Sequence, residues 1–239
     1  MIKLQDGGDE MTTGDTAERL EAGLGADPGG RRWWRTPLLL VVTALITAVT
    51  VALLIGRWGA PGDASPEAGF ARDMAIHHAQ AVEMSFIVRD KTTDEALRTL
   101  AYDIITTQST QRGVFMGWLQ QWGLSQASSR PPMAWMSGHG HGGGATASPR
   151  PATGGLMAGM ATPEEMERLR AATGREAEIL FLQLMIRHHV GGVEMAEGVL
   201  RLSKREEVRD MAQHIVDSQN AEVTLMKRML ADRGAEPLP

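Results

Sequence analysis

Two stretches of the chain share one pattern of apolar and polar positions. In the first, Phe70, Met74, His77, Ala81, Met84 and Val88 are spaced 4, 3, 4, 3, 4; in the second, Phe181, Met185, His188, Gly192, Met195 and Val199 repeat that spacing. Such alternation keeps one face of an α-helix turned towards a neighbouring helix. A return helix follows each stretch, with stripes Leu97, Ala101, Ile104, Gln108, Gln111, Phe115, Trp118 and Val208, Ala212, Ile215, Gln219, Glu222, Met226, Met229. A shift of 111 residues aligns the two blocks without a gap, matching "MAIHHAQAVEM" (74–84) to "MIRHHVGGVEM" (185–195). Each block therefore reads as a helical hairpin, and two hairpins predict an all-α four-helix bundle. Thr92-x-x-Glu95 and Ser203-x-x-Glu206 read as capping boxes at the two hairpin turns, and Thr162-Pro163-Glu164-Glu165 as the start of a short extra helix.

Outside the repeat the pattern changes. Residues 37–56, "PLLLVVTALITAVTVALLIG", carry no charge and are long enough to cross a bilayer as one helix. Arg31, Arg32 and Arg35 precede them, with Trp33 and Trp34 at the expected headgroup level. That flank places the N-terminus in the cytoplasm and the bundle outside the cell membrane, as a single-pass protein; secretion after signal cleavage is the alternative. The expected organisation is a disordered cytoplasmic tail (1–36), the transmembrane helix (37–56), a linker (57–65), the first hairpin (66–123), a Gly/Met/His-rich linker (124–161), and the short helix with the second hairpin (162–234).

Composition narrows the chemistry. The chain has 239 residues, a formal charge of −5 and no cysteine. A basic face for nucleic acid is absent, and so are disulfides, thiolate metal sites and thiol catalysis. All seven histidines, and thirteen of the fifteen methionines, lie after residue 70, so soft-donor chemistry falls to thioether and imidazole.

The seam positions put His77 and His188 on buried faces. Antiparallel folding of each hairpin sets His77 level with Gln108 and Met74 with Gln111, and His188 level with Gln219 and Met185 with Glu222. His78 and His189 lie about 100° round the helix; they either add a second ligand per helix or border the hairpin interface. Buried amide, carboxylate and imidazole groups cost about 1–3 kcal/mol each without partners. Two readings of the layer stay open: a hydrogen-bonded network that fixes helix register, and a metal site. Met84 and Met195 read as core filling before ligands. Glu83 and Glu194 read as ion-pair partners of an arginine such as Arg72 or Arg98, and His214, which aligns with Asp103, as a surface residue.

Imidazole with thioether donors points to copper; zinc through His and Glu222 is the less supported metal. No Glu-x-x-His occurs in the chain, which argues against a di-iron carboxylate centre. The linker adds Met133, Met136, His139, His141, Met157 and Met160, readable either as a loose copper-collecting arm or as spacer. No nucleophile–base constellation or nucleotide loop is visible, so catalysis is not expected; a metal-dependent redox enzyme and a non-metal structural or interaction module are the competing classes.

The phrases "FLQLMIRHHVGGVEMAEGVL", "MATPEEMERLRAATG" and "QNAEVTLMKRML" resemble the bacterial DUF305 family over residues 66–234. The resemblance implies a ferritin-like four-helix bundle, usually secreted or membrane-anchored, with copper binding and copper resistance among some relatives. The family's Gln-x-x-Glu pattern matches Gln219 and Glu222; the first hairpin departs from it with Gln111 and Phe115. The expected function is a membrane-anchored, extracytoplasmic copper-binding protein that buffers the metal or hands it on.

Overall fold

A computed structural model describes residues 35–137 and 155–238, the side chains of 35–36 and 54–58 excepted. The expected cytoplasmic tail falls almost wholly outside these residues, as do His139 and His141 of the linker. The chain divides into two units, Met1–Gly59 and Ala60–Pro239. In the first, α1 spans Arg35–Trp58, with Leu38, Leu39, Leu40 and Leu53 exposed. Among the described residues no helix is long and apolar enough to cross a membrane. The transmembrane helix expected over 37–56 is therefore not supported by this structure.

The second unit is all-helical among its described residues. Its elements are α2 (Pro66–Lys91), α3 (Glu95–Gln121), a 3-10 turn (Ala134–Met136), α4 (Pro163–Ala171), α5 (Gly174–Leu202) and α6 (Glu206–Asp232). α2 and α3 form one hairpin and α5 and α6 the other, joined through α2 against α5. Helix starts follow the local chemistry. Ser65 accepts from Ala68 N ahead of Pro66, and Thr162 and Glu165 form the expected capping box of α4. The other two expected boxes do not form. Asp94 caps α3, whereas at the α6 cap the Arg205 side chain makes no capping bond and bonds Glu207 at 2.7 Å instead. Thr92 and Ser203 are engaged elsewhere: each hydroxyl accepts from the amide two residues on, Asp94 or Arg205, and donates across the bundle.

Those donations reveal the symmetry. Thr92 donates to Glu178 Oε1 at 2.6 Å, and Ser203 to Glu67 Oε1 at 2.7 Å. Each links the end of one of α2 and α5 to the start of the other, so these helices run antiparallel. Glu67 and Glu178, like Thr92 and Ser203, are repeat equivalents, so a pseudo-two-fold axis relates the hairpins. The core obeys the same axis. One apolar half holds Met84, Val88, Leu97, Ile104, Phe181, Met185 and Met226; the other holds their equivalents Met195, Val199, Val208, Ile215, Phe70, Met74 and Phe115. Met84 and Met195 lie in these cores, fully buried.

The linker breaks the symmetry. Its first part docks through Trp135, whose Nε1 donates to Asp73 Oδ2 at 2.9 Å. Its last part, 157–161, is a strap with Met157 in one apolar half and Ala161 in the other. Gln80 grips Ala161 at both backbone atoms, at 2.9 and 2.8 Å. On the opposite helix Gly191 admits the strap: a Cβ there would stand 2.1 Å from Ala158 O. Gly191→Ala should therefore lower stability by about 1–3 kcal/mol through overpacking. Gly113→Ala, in a helix with open space around it, should gain about 0.5–1 kcal/mol. Calorimetric melting of the two variants checks the contrast; equal shifts would mean that the strap does not rest on α5.

Candidate metal centre

Between the two apolar halves lies one polar layer. α2 contributes His77 and His78, α3 Gln108 and Gln111, α5 His188 and His189, and α6 Gln219 and Glu222. All four histidines are 0% exposed; the three glutamines are buried, and only the Glu222 side chain keeps appreciable exposure, 21%. The seam histidines meet at the axis. The His77 and His188 rings are 3.7 Å apart between centroids and tilted by 31°.

The bonding differs from the level-by-level pairing expected from the seams. It is the second histidine of each pair, not the first, that reaches the return helix. His78 Nε2 lies 2.7 Å from Gln111 Oε1 and His189 Nε2 lies 2.6 Å from Glu222 Oε2, again equivalent contacts. His77 Nε2 lies 3.1 Å from the strap carbonyl of Ala158. A carbonyl, an amide oxygen and a carboxylate accept hydrogen bonds, so Nε2 donates in all three histidines and Nδ1 holds the lone pair. Those three Nδ1 atoms, both nitrogens of His188, and both amide atoms of Gln108 and Gln219 have no hydrogen-bond partner among the described residues. Gln219 folds over Gly192, where its Oε1 occupies the space a Cβ would take. The small residue beside the imidazole thus makes room for an amide.

Other expected residues lie away from the layer. Met74 and Met185 are buried one turn away, in opposite apolar halves. Met133, Met136 and Met160 are partly buried against one apolar half and Met157 is 3% exposed within it. These described linker methionines are packed and do not form a loose arm. Glu83 pairs with Arg170, while Arg72 pairs with Asp63 at 2.5 Å and Arg98 donates to Arg89 O at 2.8 Å. His214 is exposed. Among the described residues no three His, Asp or Glu side chains are grouped closely enough to hold a metal ion. The donors share a layer without being preassembled. Two surface clefts, one bordered by Arg72, Arg130 and Trp135 and one by Arg168, Arg175 and Glu176, involve none of the layer residues.

The sequence model of DUF305, a domain of unknown function, matches residues 67–230. The chain belongs to the DUF305 family. A DUF305 protein from Streptomyces coelicolor, inferred to be secreted, has 46% identity, with 74% of this chain and 99% of that chain covered at TM-score 0.65. A DUF305 fragment from Deinococcus radiodurans has 30% identity, covering 70% and 96% at TM-score 0.56. CopM in the Cu(II)-bound form has 26% identity, covering 70% and 97% at TM-score 0.52. No curated protein matches the chain.

Burial controls the protonation of this DUF305 layer. It pushes the imidazole of His77 down to about 4 and that of His78 to about 3, with neighbouring histidine charge adding to the effect. His188 is held well below its ordinary value, by burial first and by His77, His189 and His78 after it. A folded-state value below the unfolded one, near 6.5, means that the unfolded chain takes up protons first as pH falls. Stability should therefore be level above about pH 6.5 and decline below it, by about 1.4 kcal/mol per pH unit for each such histidine. For His77 the decline ends near pH 4 and for His78 near pH 3. Urea unfolding between pH 7 and 5 measures the slope; a flat profile would show that the imidazoles are not buried neutral.

Proposed function

We propose that this DUF305 protein binds copper in its buried polar layer, outside the cytoplasm, and buffers the ion or passes it on. The observation that carries the reading is the set of orphaned layer atoms. Nine buried polar atoms of six side chains lack partners, at about 1–3 kcal/mol each, against a total stability of about 5–15 kcal/mol for a typical domain. A layer built only to fix register would satisfy its own groups. In this one, six of the nine are lone-pair acceptors: the Nδ1 atoms of His77, His78 and His189, one nitrogen of a neutral His188, and the Oε1 atoms of Gln108 and Gln219.

The donor chemistry fits copper. Neutral imidazole suits both oxidation states, and the absence of cysteine leaves thioether as the soft donor. Metal-bound histidines usually donate their second ring N–H to a carbonyl or carboxylate; His77, His78 and His189 already do so, to Ala158, Gln111 and Glu222. His77, His78, His188, His189 and Glu222 are the residues assigned to hold the ion, with Met74 and Met185 in the adjoining apolar layers. The relative CopM, described in a Cu(II)-bound form, supports the same cargo. The uncharged stretch 37–56 and the secreted character inferred for the Streptomyces coelicolor relative support an outward position. We assign binding and no catalysis: the layer holds ligands and no nucleophile. The second reading, a structural module with a histidine–glutamine core, draws on the same bonds to Gln111 and Glu222.

Copper added to the full chain, purified without a histidine tag, should raise the melting temperature by a few degrees at a hundredfold excess over Kd, equivalent to about 2.7 kcal/mol. The double variant His77→Ala, His188→Ala should keep its helix content and lose that gain. If the wild type ignores copper and the double variant unfolds, the structural module is the correct reading.

A further inference from the structure

We infer that the strap is a releasable clasp over the histidine layer, latched by Gln80 and Arg187, and that solutes reach His77 and His188 when it lifts. The inference goes beyond the copper reading and does not depend on it, since it concerns the route into the layer and not what binds there.

The strap spans both helices that carry the histidine pairs. On α2, His77 Nε2 donates to Ala158 O at 3.1 Å, and Gln80 bonds both backbone atoms of Ala161. On α5, a Cβ at Gly159 would stand 2.3 Å from Arg187 O and 3.1 Å from His188 Cα, and one at Gly191 would stand 2.1 Å from Ala158 O. Arg187 holds the far end, donating through Nη2 to Met160 O at 3.4 Å and through Nη1 to Glu165 Oε1 at 2.9 Å. Gln80 and Gly191 are repeat equivalents: one grips the strap and the other makes room for it. The stacked rings of His77 and His188 lie beneath these contacts. Both are fully buried, whereas Ala158, Gly159 and Met160 are half-buried. The strap is thus the protein surface above the ring pair, and while it is seated it keeps water from that side of the layer.

Its attachments are of a separable kind. Each bundle helix is held by a continuous apolar stripe; the strap has two buried apolar anchors, Met157 and Ala161, and a handful of hydrogen bonds. Segments with few buried apolar contacts open locally, below the free energy of global unfolding. Gly155 and Gly159 stand at φ +79° and +74°, values that glycine adopts without strain, and they give the backbone two pivots. Closure is also opposed from within. It shuts His77 Nδ1 and both ring nitrogens of His188 away from water with no partner among the described residues, a desolvation cost that lifting the strap relieves.

Diethyl pyrocarbonate acylates neutral imidazole, and mass spectrometry of the digested protein reads the extent at each histidine. Applied to the metal-free full chain, in buffer and in urea below the unfolding transition, it should modify His77 and His188 slowly, at a rate that urea barely changes. That insensitivity is the mark of an opening that exposes little surface. Gln80→Ala, which removes both bonds to Ala161, should raise the rate about tenfold. Ile104→Val, a core change on α3 that leaves every strap contact named above in place, should lower the urea midpoint and leave the rate as it is. If both variants accelerate acylation in step with their loss of global stability, access is by unfolding and the inference fails. If neither accelerates it, the rings are reached from another edge of the layer and the inference fails as well. Because the probe is not a metal, a chain that ignores copper would sink the copper reading and leave this result standing.

Discussion

The contact between the His77 and His188 rings on the pseudo-two-fold axis organises the bundle. It fixes where α2 crosses α5, and every other equivalent contact follows from that crossing: Glu67 with Ser203, Glu178 with Thr92, and one set of apolar residues on either side. Two neutral imidazoles can stack in a dry interior; two imidazolium ions at 3.7 Å would repel strongly there. Burial, which holds both rings in the neutral form, is thus a condition of the contact as well as its result. The apolar halves exclude water, the excluded water keeps the rings uncharged, and the uncharged rings let the halves close.

The bundle ends obey the same axis with different chemistry. At one end the guanidinium of Arg233 bonds Asp94 at 2.7 Å and Glu178 at 2.8 Å. At the other, the repeat equivalents of Asp94 and Arg233 are Arg205 and Trp122, with Arg205 5.8 Å from the ring centroid. An ion pair and a cation–π contact occupy matching places. The repeat conserves where elements touch more strictly than how they do so. That tolerance is also visible in the layer, where an amide and a carboxylate hold equivalent histidines.

Much of this was legible in the sequence because helices write their neighbours into a period. The 4-3-4-3 spacing gave the buried faces of α2 and α5, the gapless repeat gave two equivalent hairpins, and the polar seam positions gave a common level. The pairing within that level was not legible. Which of two adjacent histidines reaches the return helix depends on side-chain direction as well as spacing, and His78 and His189 reach further than a wheel of ideal helices implies. The capping boxes misled for a related reason. Thr92 and Ser203 carry the right spacing, but their hydroxyls find half-buried carboxylates, Glu178 and Glu67, on the partner hairpin. The strap was invisible because it has no period; it is held by backbone carbonyls and amides, by Gln80, and by Gly191, whose role is the close approach it permits. The one signal available was asymmetry: Gln80 and Gly191 differ where their surroundings repeat.

The strap also explains what a single chain can do that a pair of identical hairpins cannot. Two copies meeting on a true two-fold axis must present every side chain twice, so any change made to suit one half is imposed on the other. Covalent connection lifts that obligation. Among the described residues, the connecting segment passes the axis next to His77 and Gly191, and so it marks one hairpin as unlike its twin. From that point each copy is free to drift independently of the other, as Gln111 against Glu222 and Gln80 against Gly191 already do.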